Sequence, residues 1–133
     1  MSSDVPLTRE SFDGLEPIVR PEPLAQLPDR VWTAAEWERI RLGRRARSMD
    51  EKWHVFTEGD VVFMHRSWTG RGIYEVTFSM FGDGGRTMTS AVVETDPERH
   101  RRPNGDERDR RMVELVIDTI VLGHSADLDD GVS

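Results

Sequence analysis

Between residues 53 and 94 the chain alternates four β-like runs with three glycine-bearing turns, and this spacing restricts the fold more than any other feature. Trp53, Val55 and Thr57 alternate with His54 and Phe56, the period-2 pattern of a half-buried strand. Glu58-Gly59-Asp60 follows as a turn of hairpin length. Val61 to Trp68 is the return run, rich in β-branched and aromatic residues. Thr69-Gly70-Arg71-Gly72 and Gly82-Asp83-Gly84-Gly85 separate it from further runs over 73–81 and 87–94. Tyr74, Val76, Phe78 and Met80 share one face of the third run, with Ile73, Glu75, Thr77 and Ser79 opposite. Met88, Ser90 and Val92 share one face of the fourth, with Thr89, Ala91 and Val93 opposite. Connections this short join only antiparallel neighbours, so the four runs are expected to form a meander.

Helical signals flank this block. Thr33 with Glu36 three residues later makes a capping box, and Ala34, Trp37 and Ile40 follow at helical spacing, predicting an amphipathic helix over 34–47. Met112, Val113, Val116, Ile117, Ile120 and Val121 form a wide apolar stripe, predicting a helix over 107–122 packed on the sheet, with Gly123 at its C-terminal cap. The expected fold is α+β: a four-stranded antiparallel meander with an N-terminal and a C-terminal helix (α-β-β-β-β-α). Helices then cover one face, and the other face meets water and is the place to look for binding.

Five of the seven prolines lie in the first 30 residues, where they remove backbone donors and interrupt helical φ/ψ. Residues 1–30 are therefore expected to be a Pro-rich flexible leader, with Phe12, Leu15, Ile18 and Val19 as a patch able to lie on the domain. Residues 31–124 form the predicted domain and 125–133 an acidic tail.

Composition narrows the function classes. The 133 residues contain no cysteine, which excludes disulfides, thiol catalysis and zinc–cysteine sites. No apolar run approaches membrane-spanning length and no secretory signal opens the chain, so a cytoplasmic location is expected. The net charge of -7 argues against general nucleic-acid binding. It is not uniform: residues 31–48 carry five Arg against two Glu, while 113–133 carry five acids and no base. Arg39, Arg41, Arg44, Arg45 and Arg47 thus make a basic stretch suited to an acidic protein partner or to the chain's own tail. His54 and His65 lack a third ligand at telling spacing, so no metal site is assigned. There is no phosphate loop, nucleophile elbow or distinctive carboxylate pair, so no cofactor and no catalytic residue are assigned.

The densest chemistry is His65-Arg66-Ser67-Trp68-Thr69-Gly70, at a strand end running into a glycine turn. Alternation puts His65 and Ser67 on one face, Arg66 and Trp68 on the other. Arg beside an aromatic can grip a phosphate and stack a ring. The expected ligand-binding set is His65, Arg66, Trp68 and Thr69, supported by Trp53 and Tyr74. In the competing structural reading Trp68 is core, Arg66 pairs with Glu75 across the hairpin, and Thr69 and Gly70 only make the turn.

The segments Asp50-Glu-Lys-Trp-His-Val-Phe, Val62-Phe-Met-His-Arg-Ser-Trp-Thr-Gly, Ile73-Tyr-Glu-Val and Ile117-Asp-Thr-Ile-Val-Leu-Gly resemble a family of small, uncharacterised bacterial domains. That family is marked by a Lys-Trp strand followed by a His-Arg-Ser-Trp-Thr-Gly hairpin, and the resemblance covers roughly residues 33–123. Gly72 and the long Arg-rich loop depart from its pattern. Its members stand alone or beside ADP-ribose-processing enzymes, without an assigned activity. The resemblance therefore implies a non-catalytic binding or accessory domain for a nucleotide or ADP-ribose-like ligand. Two alternatives accompany it: a protein-interaction module of antitoxin, immunity or phage-inhibitor type, and a small hydrolase using His65 as general base. The hairpin edge strand also offers a route to a homodimer.

Overall fold

A computed structural model describes residues 6–46, 52–100 and 105–122. Arg47, Gly123 and the acidic tail over 125–133 lie outside the described residues. The strands are β1 (Pro21–Pro23), β2 (Val31–Trp32), β3 (Trp53–Glu58), β4 (Val61–Arg66), β5 (Gly72–Phe81) and β6 (Gly85–Glu94); the helices are α1 (Ala34–Ile40) and α2 (Gly105–Leu115). A π-helical segment, Val116–Val121, continues α2. The fold is α+β and the sheet antiparallel. It has six strands, not the expected four. The two additional strands come from before α1. β1 pairs with Val92–Glu94 and β2 with Arg86–Thr87, end to end along the same side of β6. Both are too short to show any strand periodicity, and β1 begins and ends in proline. Proline is tolerated there because β1 is an edge strand. Among the described residues no helix is long and apolar enough to cross a membrane.

The capping box at Thr33 forms: Glu36 N–H donates to Thr33 Oγ1 at 3.1 Å and Thr33 N–H to Glu36 Oε1 at 2.9 Å. The helix stops at Ile40, not 47. Gly43 turns the chain with φ +80°, and a Cβ there would meet the Val55 carbonyl oxygen at 2.5 Å. The chain then lies along the outer edge of β3, where Arg44 and Val55 exchange backbone hydrogen bonds of 2.8 and 2.9 Å. The expected basic helix face is dispersed as a result. Arg39 donates to the Leu122 carbonyl, Arg41 pairs with Glu38, and Arg45 lies over the Phe12 ring.

Two register shifts revise the predicted strand faces. Thr77 pairs with Ser90 but Phe78 with Met88, so Thr89 is an extra residue in β6. The alternation therefore slips, and Met88, Ala91 and Val93 all point into the core. Met64 pairs with Tyr74 but His65 with Gly72, which leaves Ile73 unpaired and buried beside Tyr74. Met80, placed by alternation on the same face as Tyr74, Val76 and Phe78, is exposed near the hairpin tip while those three are buried.

The helices cover one face of the sheet. Trp32 and Trp37 pack their rings against Phe78, and Val113, Val116, Ile117 and Leu122 join the same core. The opposite face was expected to meet water, but over β3 and β4 the segment before β1 covers it. The Phe12 ring lies 4.7 Å from His54 and 5.8 Å from Phe56. Arg9 sits over Phe56 and Phe63 and grips Glu58 through two 3.0 Å hydrogen bonds. Further along, Glu16 accepts from Gly72 N–H at 2.7 Å and donates its own N–H to the Gly70 carbonyl at 2.8 Å. Where the segments cross, Gly70 has φ +78°, and a Cβ would lie 2.0 Å from the Gly14 oxygen.

Two outcomes test this covering. Gly70→Ala is expected to cost about 1–3 kcal/mol in urea denaturation, through left-handed strain plus displacement of the crossing segment. An unchanged midpoint would contradict the close crossing. Burial pushes the His54 and His65 imidazoles below the ordinary value of 6.5, Arg45 adding to the shift of His54 and Arg9 to that of His65. The unfolded chain then binds more protons than the native one below pH 6.5, so stability falls as pH drops from 6.5 through the native values. Glu75, raised mainly by burial, acts in the opposite sense above 4.5. The net expectation is a Tm that declines between about pH 7 and pH 5 and declines less in His65→Gln. A Tm that rises across that interval would exclude the histidine account.

Candidate functional site

The motif His65–Gly70 leaves β4 and turns into β5, and its side chains part to the two faces of the sheet. His65 is 2 % exposed, on the face covered by the N-terminal segment. Its Nδ1 donates to the Gly70 carbonyl at 2.8 Å and its ring neighbours Phe56. It is thereby removed from the other candidate residues and closes the turn instead. Thr69 Oγ1 accepts from Arg71 N–H at 3.2 Å. Arg66 points to the helix-covered face, opposite to Glu75, so the expected pairing with Glu75 does not form. Its guanidinium lies 4.7 Å from the centre of the Trp53 ring, which in turn stacks on Tyr74 at 5.8 Å. Trp68, which the structural reading placed in the core, is 67 % exposed.

Arg66 lines three adjoining hollows at this end of the sheet. The first, about 330 Å³, is bounded by Lys52, Arg66, Trp68, Thr69, Arg71 and Arg99. The second, about 290 Å³, runs under the helix past Lys52, Trp53, Arg108, Met112 and Thr119. The third, about 230 Å³, brings Trp53, Arg66 and Tyr74 together with Arg99, His100 and Arg108. Five of the six expected residues thus line this cleft of three hollows, which have only Arg66 in common, and His65 lines none of them.

The cleft is strongly cationic within an acidic chain. Lys52, Arg66, Arg71, Arg99 and Arg108 all reach it. Arg99 is offset by Glu16 at 2.9 Å, and Arg71 donates to the Glu98 carbonyl at 3.1 Å. Among the described residues, Lys52, Arg66 and Arg108 have no carboxylate partner. Burial holds the Arg66 pKa below the ordinary guanidinium value, with Tyr74 opposing the shift. A guanidinium remains charged under such pressure, so a half-buried cation without a carboxylate partner favours an anion.

The floor of the cleft is polar and ordered. Asp109 of α2 is 1 % exposed and accepts at Oδ1 from the Tyr74 hydroxyl at 2.6 Å and from His100 Nε2 at 2.8 Å. The His100 ring stands edge-on to Tyr74 at 5.6 Å.

The sequence reading did not select Lys52, Arg71, Arg99, His100, Arg108 or Asp109. Asp109 carried a readable signal: it lies three and four residues before Met112 and Val113, on the inward face of the predicted helix, where a carboxylate needs buried donors. Arg99 and His100 carried none, because the chain between β6 and α2 has no period from which to place them. Comparison with protein-family models, curated proteins and solved structures finds no match to this chain.

Removing the phenol oxygen alone isolates the floor. Tyr74→Phe keeps the stack on Trp53 and is expected to cost about 1.5–3 kcal/mol in urea denaturation, the range for a hydrogen bond to a charged group. A cost below about 0.5 kcal/mol would mean that Asp109 does not depend on Tyr74.

Proposed function

We propose that this protein is a non-catalytic binding domain for a nucleotide-like anion, held in the cleft between the His65–Gly70 turn and α2. The observation that carries this reading is the exposed Trp68 indole on a hollow whose cations Lys52 and Arg66 lack carboxylate partners among the described residues. A ring platform beside guanidinium donors suits a base joined to phosphate. Arg66 meets the anionic group, Trp68 stacks the base, and Lys52, Arg71 and Arg99 supply the surrounding positive field. The hollow of about 330 Å³ lies within the size range of small-molecule sites. The resemblance read from the sequence motifs, to domains expected beside ADP-ribose-processing enzymes, makes ADP-ribose and NAD the first compounds to try.

The hydrolase alternative draws no support from His65, which is buried and committed to the Gly70 carbonyl. The protein-interaction alternative rests on small size, acidity and a flexible leader; of that leader, Arg9, Glu16, Val19, Arg20 and Leu24 bond to the chain's own sheet and turns.

A thermal-shift screen with AMP, ADP, NAD and ADP-ribose is expected to give stabilisation that Arg66→Ala and Trp68→Ala both weaken. Trp68→Ala should leave the unliganded Tm nearly unchanged, since the side chain is exposed, while lowering affinity by about 10- to 100-fold through lost stacking. Absence of a shift with all four compounds would sink the proposal, as would affinity unchanged in both variants.

A further inference from the structure

We propose that the cleft is shaped for an internal phosphate, a diester or pyrophosphate with an organic group on each side; this deepens, and rests on, the binding function proposed above. The geometry is that of two hollows meeting at a pair of cations. The outer hollow and the hollow under the helix share two lining residues, Lys52 and Arg66, and no others. Among the described residues neither cation has a carboxylate partner, and no Asp or Glu lines either hollow. Both cations are held at this seam. The Arg66 guanidinium rests 4.7 Å from the centre of the Trp53 ring. Ser67 N–H donates to the Lys52 carbonyl at 2.9 Å, which ties the Lys52 backbone to the turn. Positive charge without a carboxylate partner thus lies between two spaces, not at the closed end of one.

The two spaces differ in chemistry. The outer one presents the exposed Trp68 indole. Its other guanidiniums are already engaged: Arg99 lies 2.9 Å from Glu16 and 4.0 Å from Asp96, and Arg71 donates to the Glu98 carbonyl. The space under the helix is walled by Met112, Leu115 and Val116, with Arg108 as a further cation. Its one hydroxyl, that of Thr119, is donated to the Leu115 carbonyl at 2.6 Å. Leu115 is 42 % exposed there.

A terminal phosphate on Lys52 and Arg66, with its base on Trp68, leaves the space under the helix unfilled. An internal phosphate carries a second group into that space and covers Leu115, which adds apolar burial to the charge contact. The forked guanidinium suits this position, since it can donate to two oxygens of one phosphate. A small dinucleotide has this form. A polynucleotide has it too, but the net charge of -7 opposes a polyanion.

The two arms can be tested separately. Within the cleft, Trp68 lines only the outer hollow, and Leu115 and Thr119 line only the one under the helix. Titration calorimetry on the full chain compares AMP, NAD and an eight-nucleotide oligoadenylate. NAD is expected to bind about tenfold or more tightly than AMP, although AMP carries the fuller phosphate charge. The oligoadenylate should bind more weakly than NAD. Leu115→Trp, which fills the space under the helix, should bring NAD down to the affinity of AMP and leave AMP unchanged; retained AMP binding also verifies its fold. Should that variant lose AMP binding, the Thr119 methyl resonance of the unaltered protein decides: NAD must shift it and AMP must not. NAD no tighter than AMP, a NAD-to-AMP ratio that Leu115→Trp does not lower, a Thr119 methyl that NAD does not shift, or an oligoadenylate tighter than NAD overturns this inference while the binding function stands. Failure of all three compounds to bind overturns both.

Discussion

The carboxylate of Glu94, at the end of β6, binds two parts of the chain that lie far apart in sequence. It is fully buried, and burial alone would raise its pKa. Three backbone N–H groups outweigh that penalty, those of Val19 and Arg20 at 2.9 Å and of Asp96 at 3.2 Å, and with Arg99 they bring the pKa below the usual carboxylate value. Two segments far apart in sequence are thereby tied to one strand end. Val19 and Arg20 place the chain for β1, and Asp96 starts the turn that carries Arg99 and His100 over the sheet. The anchored N-terminal segment covers His54, Phe56 and His65, and the anchored turn walls the cleft. Apolar contacts alone would not hold these segments so specifically, since a buried carboxylate accepts only an arrangement that satisfies its oxygens.

The same economy organises the opposite side of the molecule. Arg30 bonds to Glu114 and Asp118, and its guanidinium lies over Trp32 at 4.7 Å. Burial would weaken that cation, but the two carboxylates more than compensate. Trp32 also donates to Asp118 at 3.3 Å, and Asp118 lies in the π-helical segment. One arginine between β1 and β2 therefore helps to seat the C-terminal helix on the core. Charge is organised around named partners at both sites, whereas Lys52, Arg66 and Arg108 of the cleft have no carboxylate partner among the described residues.

The motif that drew attention in the sequence divides its work between the faces of the sheet. His65 and Gly70 shape the turn and let the N-terminal segment cross, Thr69 steadies the turn, and Arg66 and Trp68 face the cleft. Strand alternation alone separates His65 from Arg66, and this much was readable. Whether Trp68 was core or surface was not, because it lies beyond the last paired residue of β4, where alternation no longer applies. The capping box, the four central strands and the C-terminal apolar stripe were also readable, since each is a local pattern with a local cause. The bulges opposite Thr77 and Met64 were not, because a bulge is settled by how two strands meet.

The sequence by itself determined an antiparallel meander flanked by helices, a helix start at Thr33, and an aromatic and cationic turn at residues 65–70. These follow from side-chain period, turn chemistry and capping, all of which act over a few residues. Tertiary structure alone decided that prolines at 21 and 23 edge the sheet, that the N-terminal segment covers the second face, and that Arg99, His100 and Arg108 line hollows shared with Arg66, with Asp109 buried behind Tyr74 and His100. Those outcomes depend on buried carboxylates choosing donors distant in sequence, and pairings of that kind leave no periodic trace in the chain.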